Sequence, residues 1–97
     1  MFRLVFTPEA LEDLRQLRKY DQQHIVTAIE GQLIQQPHHE TRHRKRLRPN
    51  RLAEWELRVH PFRVFYDVDV SQRVVKIEAI GHKPGNTLFV HGEEYQL

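Results

Sequence analysis

The chain has 97 residues, enough for one hydrophobic core, so residues 1–97 are expected to form a single domain. The absence of cysteine excludes disulfide bonds, thiolate zinc sites and a cysteine nucleophile. No apolar run approaches the roughly 18 residues of a membrane span. The N-terminal apolar run is too short for a signal peptide, so a cytoplasmic protein that does not associate with membranes is expected.

The charge of the chain is unevenly distributed. The formal net charge is only +2, but residues 38–51 contain six Lys or Arg residues against one acid. This segment carries +5, which leaves −3 for the other residues. A concentrated cationic segment on a mildly acidic body favours binding to a polyanion such as nucleic acid. A solvated loop and a patch that pairs with an acidic protein are the alternatives.

The N-terminal third predicts a strand followed by two helices. Residues 2–6 are rich in β-forming side chains and predict a short strand that could lie at a sheet edge. Thr7 and Pro8 mark the start of a helix over residues 8–18, whose apolar stripe contains Leu11, Leu14 and Leu17. Asp21 is predicted to cap a second helix that ends near residue 35. A short connection implies that the two helices are antiparallel.

Residues 37–53 are predicted to form a polar loop that includes the basic segment. Leu47 and Leu52 interrupt the charges, which indicates that the loop is pinned to the body of the protein. Three histidines lie at its start, but His38 and His39 are adjacent and point apart in most conformations. No carboxylate is spaced to complete a metal site with them. We therefore expect neither a metal nor another cofactor.

The stretch from residue 55 to residue 66 predicts two half-buried strands joined by a His-Pro turn. Apolar side chains alternate with polar ones on both sides of the turn. Glu56 and Arg58 therefore share one face of the first strand, and Arg63 shares the corresponding face of the second. A third strand over residues 73–81 would place Val75, Ile77 and Ala79 in one apolar set. The sequence thus predicts a charged sheet face above a packed core.

The predicted architecture is α+β. It comprises an N-terminal strand, an antiparallel helix pair and a mainly antiparallel sheet of three or four strands, arranged in two layers because amphipathic helices must cover one sheet face. Residues 81–86 are rich in turn-forming types, which places His82 and Lys83 at the end of a strand, where functional side chains are often held.

These residues could support cleavage of RNA. That reaction needs cations for the charge that develops on phosphorus, together with groups that transfer protons. Arg58, Arg63 and Lys83 could supply the positive charge, and Arg is well suited because its planar fork donates two parallel hydrogen bonds. Glu56, His60 or His82 could transfer protons. Alternatively, Glu56 and Arg58 could simply pair with neighbours across the strands.

Two motifs resemble the RelE/ParE superfamily of bacterial type II toxin–antitoxin toxins. They are L-R-x-N-x-x-x-x-W-x-L-R-V-x-x-x-R-V-x-Y over residues 47–66 and A-I-G-H-K over residues 79–83, and the similarity covers nearly the whole chain. RelE-like members cut mRNA in the ribosomal A site without a metal, whereas ParE-like members poison DNA gyrase with the same fold. The resemblance therefore implies a toxin without choosing between the activities.

The resemblance also implies roles for individual residues. Arg63 matches the arginine that contacts the scissile phosphate in RelE-like nucleases. Arg58 matches a basic residue of the preceding strand in these nucleases, and Lys83 matches a position that is often arginine. Glu56 departs from the lysine of the RelE type, although some relatives use a glutamate as general base in this region. Phe89 lies near the position of a stacking tyrosine. Because phenylalanine cannot exchange a proton, acid–base work would pass to other side chains, with three candidates: His82, His91 and Tyr95.

The leading hypothesis is therefore a ribosome-dependent, metal-independent mRNA endonuclease. Arg63, Arg58, Lys83, Glu56 and His82 are its predicted catalytic residues. The predicted RNA-binding residues are Arg42, Arg44, Lys45, Arg46, Arg48, Arg51 and Phe89. A gyrase inhibitor without nuclease chemistry, or a degenerate toxin that acts as a binding module, is the alternative. The resemblance implies partners in the ribosome, mRNA and a cognate antitoxin that forms a small hetero-oligomer with the toxin.

Overall fold

A computed structural model, which describes all residues 1–97, has the predicted α+β fold. Two helices cover one face of a curled sheet, here called the helix face; the opposite one is the outer face. The helices are α1 (Pro8–Arg15) and α2 (Lys19–Leu33). The strands are β1 (Arg3–Phe6), β2 (Arg44–Arg46), β3 (Trp55–Val59), β4 (Phe62–Asp69), β5 (Val74–His82), β6 (Leu88–Val90) and β7 (Glu93–Tyr95).

The sheet has seven strands, more than the three or four predicted. Strands β2 to β7 follow one another in chain order, and each pairs with the next in antiparallel fashion. β1 pairs only with β5, in parallel, so it is an edge strand as predicted. The predicted meander of three strands is therefore the centre of a wider sheet.

The helix pair begins as predicted but breaks in a different place. The Thr7 hydroxyl accepts a hydrogen bond from the backbone N–H of Ala10 at 3.0 Å and caps α1. α1 ends at Arg15 instead of residue 18, because Arg18 is already extended and occupies the N-cap position of α2. The prediction that Asp21 is this cap is therefore wrong. Asp21 lies in the first turn of α2, where its carboxylate accepts from Arg18 Nε at 3.1 Å.

The main core lies between the helices and the sheet. Its buried side chains are Ala10, Ile25, Ile29, Leu33, Trp55, Leu57, Val59, Phe62, Val64, Tyr66, Val75, Ile77 and Ile80. Leu14 and Leu17 pack against this core, but Leu11 is 37% exposed, contrary to the predicted stripe. α1 has only two turns, so it buries a narrower face than its leucine spacing predicts.

A β-bulge in β5 breaks the predicted alternation. Tyr66 on β4 pairs with Ile77, whereas the preceding residue, Phe65, pairs with Ala79, so Glu78 is an extra residue. The prediction that Ala79 shares a face with Val75 and Ile77 is wrong for this reason. Ala79 instead joins a second cluster on the outer face, which consists of Ala53, Phe65, Ala79, Leu88 and Val90.

The basic segment is partly a strand, not only the predicted loop. β2 pairs with β3 along one side. On its other side, two backbone groups of β2 form hydrogen bonds with the preceding turn: the Arg44 carbonyl accepts from Thr41 N–H at 2.9 Å, and Arg46 N–H donates to the Glu40 carboxylate at 3.3 Å. Leu47 and Leu52 pack against the second cluster, which confirms that this segment is pinned.

Neither helix is long and apolar enough to cross a membrane.

Candidate functional site

Two arginines face each other across β3 and β4 on the outer face. Arg58 and Arg63 are direct cross-strand partners, because the turn at His60 and Pro61 fixes the register of the two strands. Glu56 lies between their guanidinium groups: its Oε2 atom is 3.2 Å from Arg58 Nε and 3.8 Å from Arg63 Nε. These three residues form the arginine site. Like charges directly opposite each other destabilise a sheet, and the carboxylate offsets this repulsion.

The members of the arginine site differ in exposure. The Arg58 side chain is 48% exposed, whereas those of Arg63 and Glu56 are only 14% and 11% exposed. Arg63 is held further by its Nη1 atom, which donates to the Phe62 carbonyl at 3.0 Å. The site therefore combines a recessed, fixed guanidinium with an exposed one, an arrangement suited to binding an anion.

Lys83 lies at the same end of the sheet. Its backbone N–H donates to the Pro61 carbonyl at 2.7 Å, which ties the segment after β5 to the turn between β3 and β4. The residue is half-buried, and its ammonium group forms no ion pair. The structure thus ties the Lys83 backbone to the turn that precedes Arg63 in β4.

His82 and Phe89 lie on the opposite side of the sheet from the arginine site. They are cross-strand partners on β5 and β6, and the His82 ring packs 5.4 Å from the ring of Phe62, a main-core residue. Both line an open cleft of about 540 Å³ beside α1, here called the α1 cleft. The structure therefore does not bring these two predicted site residues together with Arg58 and Arg63.

An aspartate and a histidine join α1 to the C-terminal hairpin beside the α1 cleft. Asp13 accepts hydrogen bonds through both oxygens, from Ile80 N–H at 3.0 Å and from His91 Nδ1 at 2.8 Å. His91 begins a two-residue turn in which it and Gly92 both have positive φ. The role of Asp13 could not be predicted from the sequence, because nothing in its spacing distinguishes it from the other acids of α1.

Only part of the basic segment is free to bind a ligand. Arg44 donates to the carbonyls of Gln32 at 2.6 Å and His39 at 3.0 Å, so it satisfies the C-terminal end of α2. Arg46 lies over the Trp55 ring at 5.7 Å and 3.9 Å from the Glu54 carboxylate. Four cations remain exposed without a side-chain hydrogen bond or ion pair: Arg42, Lys45, Arg48 and Arg51.

A second open cleft, of about 660 Å³, lies between the basic segment and two acids of β4 and β5. Asp67 accepts from the Glu54 N–H at 2.8 Å and so anchors the end of the segment. Burial, reinforced by a hydrogen bond and repulsion from Asp67, raises the pKa of Glu78 to about 7. Lys76, 3.6 Å from Glu78, acts in the opposite direction. This pair of acids was not among the residues predicted from the sequence.

The histidines and acids of the chain do not form a group of three or more that could hold a metal ion.

Comparisons with known proteins identify the family. A search of curated proteins found no match. A family model described as "ParE toxin of type II toxin-antitoxin system, parDE" matches residues 4–84. Among solved structures, the chain is similar to one from the crystal structure of the RelBE2 toxin–antitoxin complex of Mycobacterium tuberculosis. The two are 25% identical with a TM-score of 0.74, and the match covers 87% of this chain and 93% of the other. The chain belongs to the ParE toxin family of type II toxin–antitoxin systems.

Proposed function

We propose that this toxin cuts mRNA on the ribosome without a metal ion and thereby inhibits translation. The observation that carries the proposal is the arginine site, where a fixed Arg63 and an exposed Arg58 face each other on the outer face. In phosphodiester cleavage, negative charge develops on the phosphate oxygens. Preorganised guanidinium groups stabilise that charge at low reorganisation cost.

The neighbouring cations extend this surface. Lys45 lies opposite Glu56 in the β2–β3 register, so its side chain leaves the sheet on the outer face. With the other exposed cations of the basic segment, it would contact ribosomal RNA phosphates, while Arg58, Arg63 and Lys83 surround the scissile phosphate. Because His82 and Phe89 lie on the helix face, catalysis on the outer face would depend mainly on positioning and charge stabilisation.

Substitution of Arg63 tests the nuclease. Arg63→Ala should reduce ribosome-dependent mRNA cleavage by about 100- to 1,000-fold, the usual cost of removing one preorganised transition-state donor. Cleavage would be measured by mapping 5′ ends on purified translating ribosomes. Arg15→Ala is the matched control, because Arg15 is an exposed arginine of α1, away from the outer face. Circular dichroism would establish that both variants fold. Intact mRNA with the wild-type toxin on active ribosomes would refute the proposal.

An antitoxin is the expected partner of this toxin. The similar M. tuberculosis structure is a toxin–antitoxin complex, and the basic segment carries cations that no residue of this chain neutralises. We propose that a cognate antitoxin covers these cations with acidic side chains in a small hetero-oligomer. Such masking would also prevent phosphate from reaching the arginine site, so antitoxin binding and RNA binding should be mutually exclusive.

Gyrase inhibition is the second candidate function. It is favoured by the family model, which describes ParE toxins, and by the separation of His82 from the arginine site, which leaves fewer proton-transfer groups on the outer face. Induction of the toxin distinguishes the two functions. DNA damage with stable transcripts would support gyrase inhibition, whereas new mRNA 5′ ends without DNA damage would support the nuclease.

A further inference from the structure

Glu56 occupies an unusual position for a carboxylate on the outer face. It is the one buried charged residue of the chain. Its cross-strand partner on β4 is the apolar Phe65, but its partner on β2 and the next outer-face residue along β3 are cationic. Lys45 is its cross-strand partner on β2, and Arg58 and Arg63 approach the same oxygen, Oε2. One negative charge is thus shared between two arginines, with an exposed lysine on the neighbouring strand, in a place where a polyanion would otherwise bind.

The ion pair between Glu54 and Arg46 provides a comparison for the burial of Glu56. Glu54 lies 3.9 Å from Arg46, and both side chains are more than half exposed, so water screens the pair and its net effect is small. Glu56 is recessed, which makes its interaction with the arginines stronger and less screened. A carboxylate oxygen and a phosphate oxygen accept hydrogen bonds from guanidinium groups in similar ways.

We propose that Glu56 is an internal anion that holds Arg58 and Arg63 ready for a phosphodiester and is displaced from them when the phosphodiester binds. The inference rests on the proposed binding of RNA, but not on cleavage. In the free protein, Glu56 neutralises the repulsion between the two arginines and keeps their side chains ordered. On binding, each guanidinium exchanges a single contact with Oε2 for contacts with phosphate oxygens. Glu56 therefore positions the arginines and lowers the affinity for RNA.

The test is the affinity for a fluorescent single-stranded RNA oligonucleotide, measured by anisotropy at several salt concentrations. Glu56→Gln keeps the shape of the side chain and removes its charge. It should bind RNA about tenfold more tightly than the wild type at 0.1 M salt, because a recessed negative charge near the phosphate is removed. Glu54→Gln, the matched control on an exposed pair, should change affinity less than about twofold. The slope of log affinity against log salt should steepen by about 0.7 for Glu56→Gln if one more phosphate is neutralised.

A role for Glu56 that is only structural would give the opposite result. If Glu56 merely braces the arginines, Glu56→Gln should bind RNA more weakly, and this outcome would overturn the proposal, as would equal affinities for both variants. A measurement on the wild type covers the case in which Glu56→Gln does not fold. In protein labelled with ¹³C-glutamate, the side-chain carboxyl signal of Glu56 should shift on addition of RNA while that of Glu54 stays in place. An unchanged Glu56 signal at saturating RNA would refute displacement.

The outcomes also separate this inference from the proposed nuclease. If mRNA on ribosomes stays intact but the tenfold difference in RNA affinity is present, only the nuclease proposal fails. If ribosome-dependent cleavage occurs and Glu56→Gln shows no gain in affinity, only the displacement of Glu56 fails. Absence of RNA binding by both the wild type and Glu56→Gln at low salt would overturn the displacement of Glu56, and the ribosome assay would still decide the nuclease.

Discussion

Replacement of Glu78 by glutamine should change the pH dependence of folding stability. Glu78 lies beside Asp67 in the cleft under the basic segment, and the pKa of Glu78 is raised from 4.5 to about 7 because the group is desolvated and close to another carboxylate. Between these two pH values the folded protein binds more protons than the unfolded chain. The contribution of Glu78 to the free energy of unfolding must therefore fall as pH rises from about 4.5 to about 7.

The size of this effect follows from the same shift. The full difference between the two pKa values of Glu78 corresponds to roughly 3 kcal/mol. The side chain is 22% exposed and Lys76 is 3.6 Å away, so solvent and a cation stabilise part of the ionised form. We expect a loss of about 1 to 2 kcal/mol between pH 4.5 and pH 8 from this group. Glutamine cannot ionise, and its amide can donate to Asp67, so Glu78→Gln should remove the loss.

The measurement is urea denaturation of the wild type and Glu78→Gln at pH 5 and pH 8. The variant should have nearly the stability of the wild type at pH 5 and be about 1 to 2 kcal/mol more stable at pH 8. Glu93→Gln is the control, because Glu93 is an exposed residue of β7. If wild type and Glu78→Gln lose stability in parallel between pH 5 and pH 8, the raised pKa of Glu78 does not govern this part of the pH dependence.

Two further substitutions test the core and the close packing of the sheet by the same denaturation assay. Tyr66→Phe removes a buried 2.8 Å hydrogen bond to a loop carbonyl and should cost about 1 to 2 kcal/mol, whereas Tyr20→Phe, at a residue 73% exposed, should be neutral. Gly81→Ala would place a methyl group 2.9 Å from the Phe89 carbonyl oxygen and should cost about 1 to 3 kcal/mol. Gly85→Ala, with no atom within 4 Å of the added carbon, should have little effect, and equal losses at the two glycines would contradict this account.

The central strands could be predicted because their side chains alternate cleanly and a short turn fixes their register. β3 has the apolar side chains of Trp55, Leu57 and Val59 on the helix face, as the alternation requires. The same reasoning placed Arg58 and Arg63 on one face. The break between the helices could not be located from sequence, because Asp21 is a preferred capping residue, whereas Arg18, which occupies the N-cap position, makes no capping hydrogen bond with its side chain.

Charge counting predicted a cationic surface but overstated its extent. In sequence, each Lys or Arg of residues 42–51 counts equally. In the fold, Arg44 is bound to carbonyls near the end of α2 and Arg46 lies against Trp55, so both contribute to the structure of the segment. Contacts with distant parts of the chain determine which of these cations stabilise the fold. A local sequence pattern gives no information about such contacts.

The position of His82 shows how one extra residue redirects a candidate catalytic group. With strict alternation from Val75 and Ile77, which face the helices, His82 would point to the outer face and join Arg63. The bulge at Glu78 shifts the alternation by one, so Ile80 enters the main core and His82 leaves the sheet on the helix face. No residue type in this strand marks the bulge in advance. A chemical mechanism that combines His82 with the arginines would therefore require the substrate to reach around the end of β5, and one that uses the outer face alone must do without this imidazole.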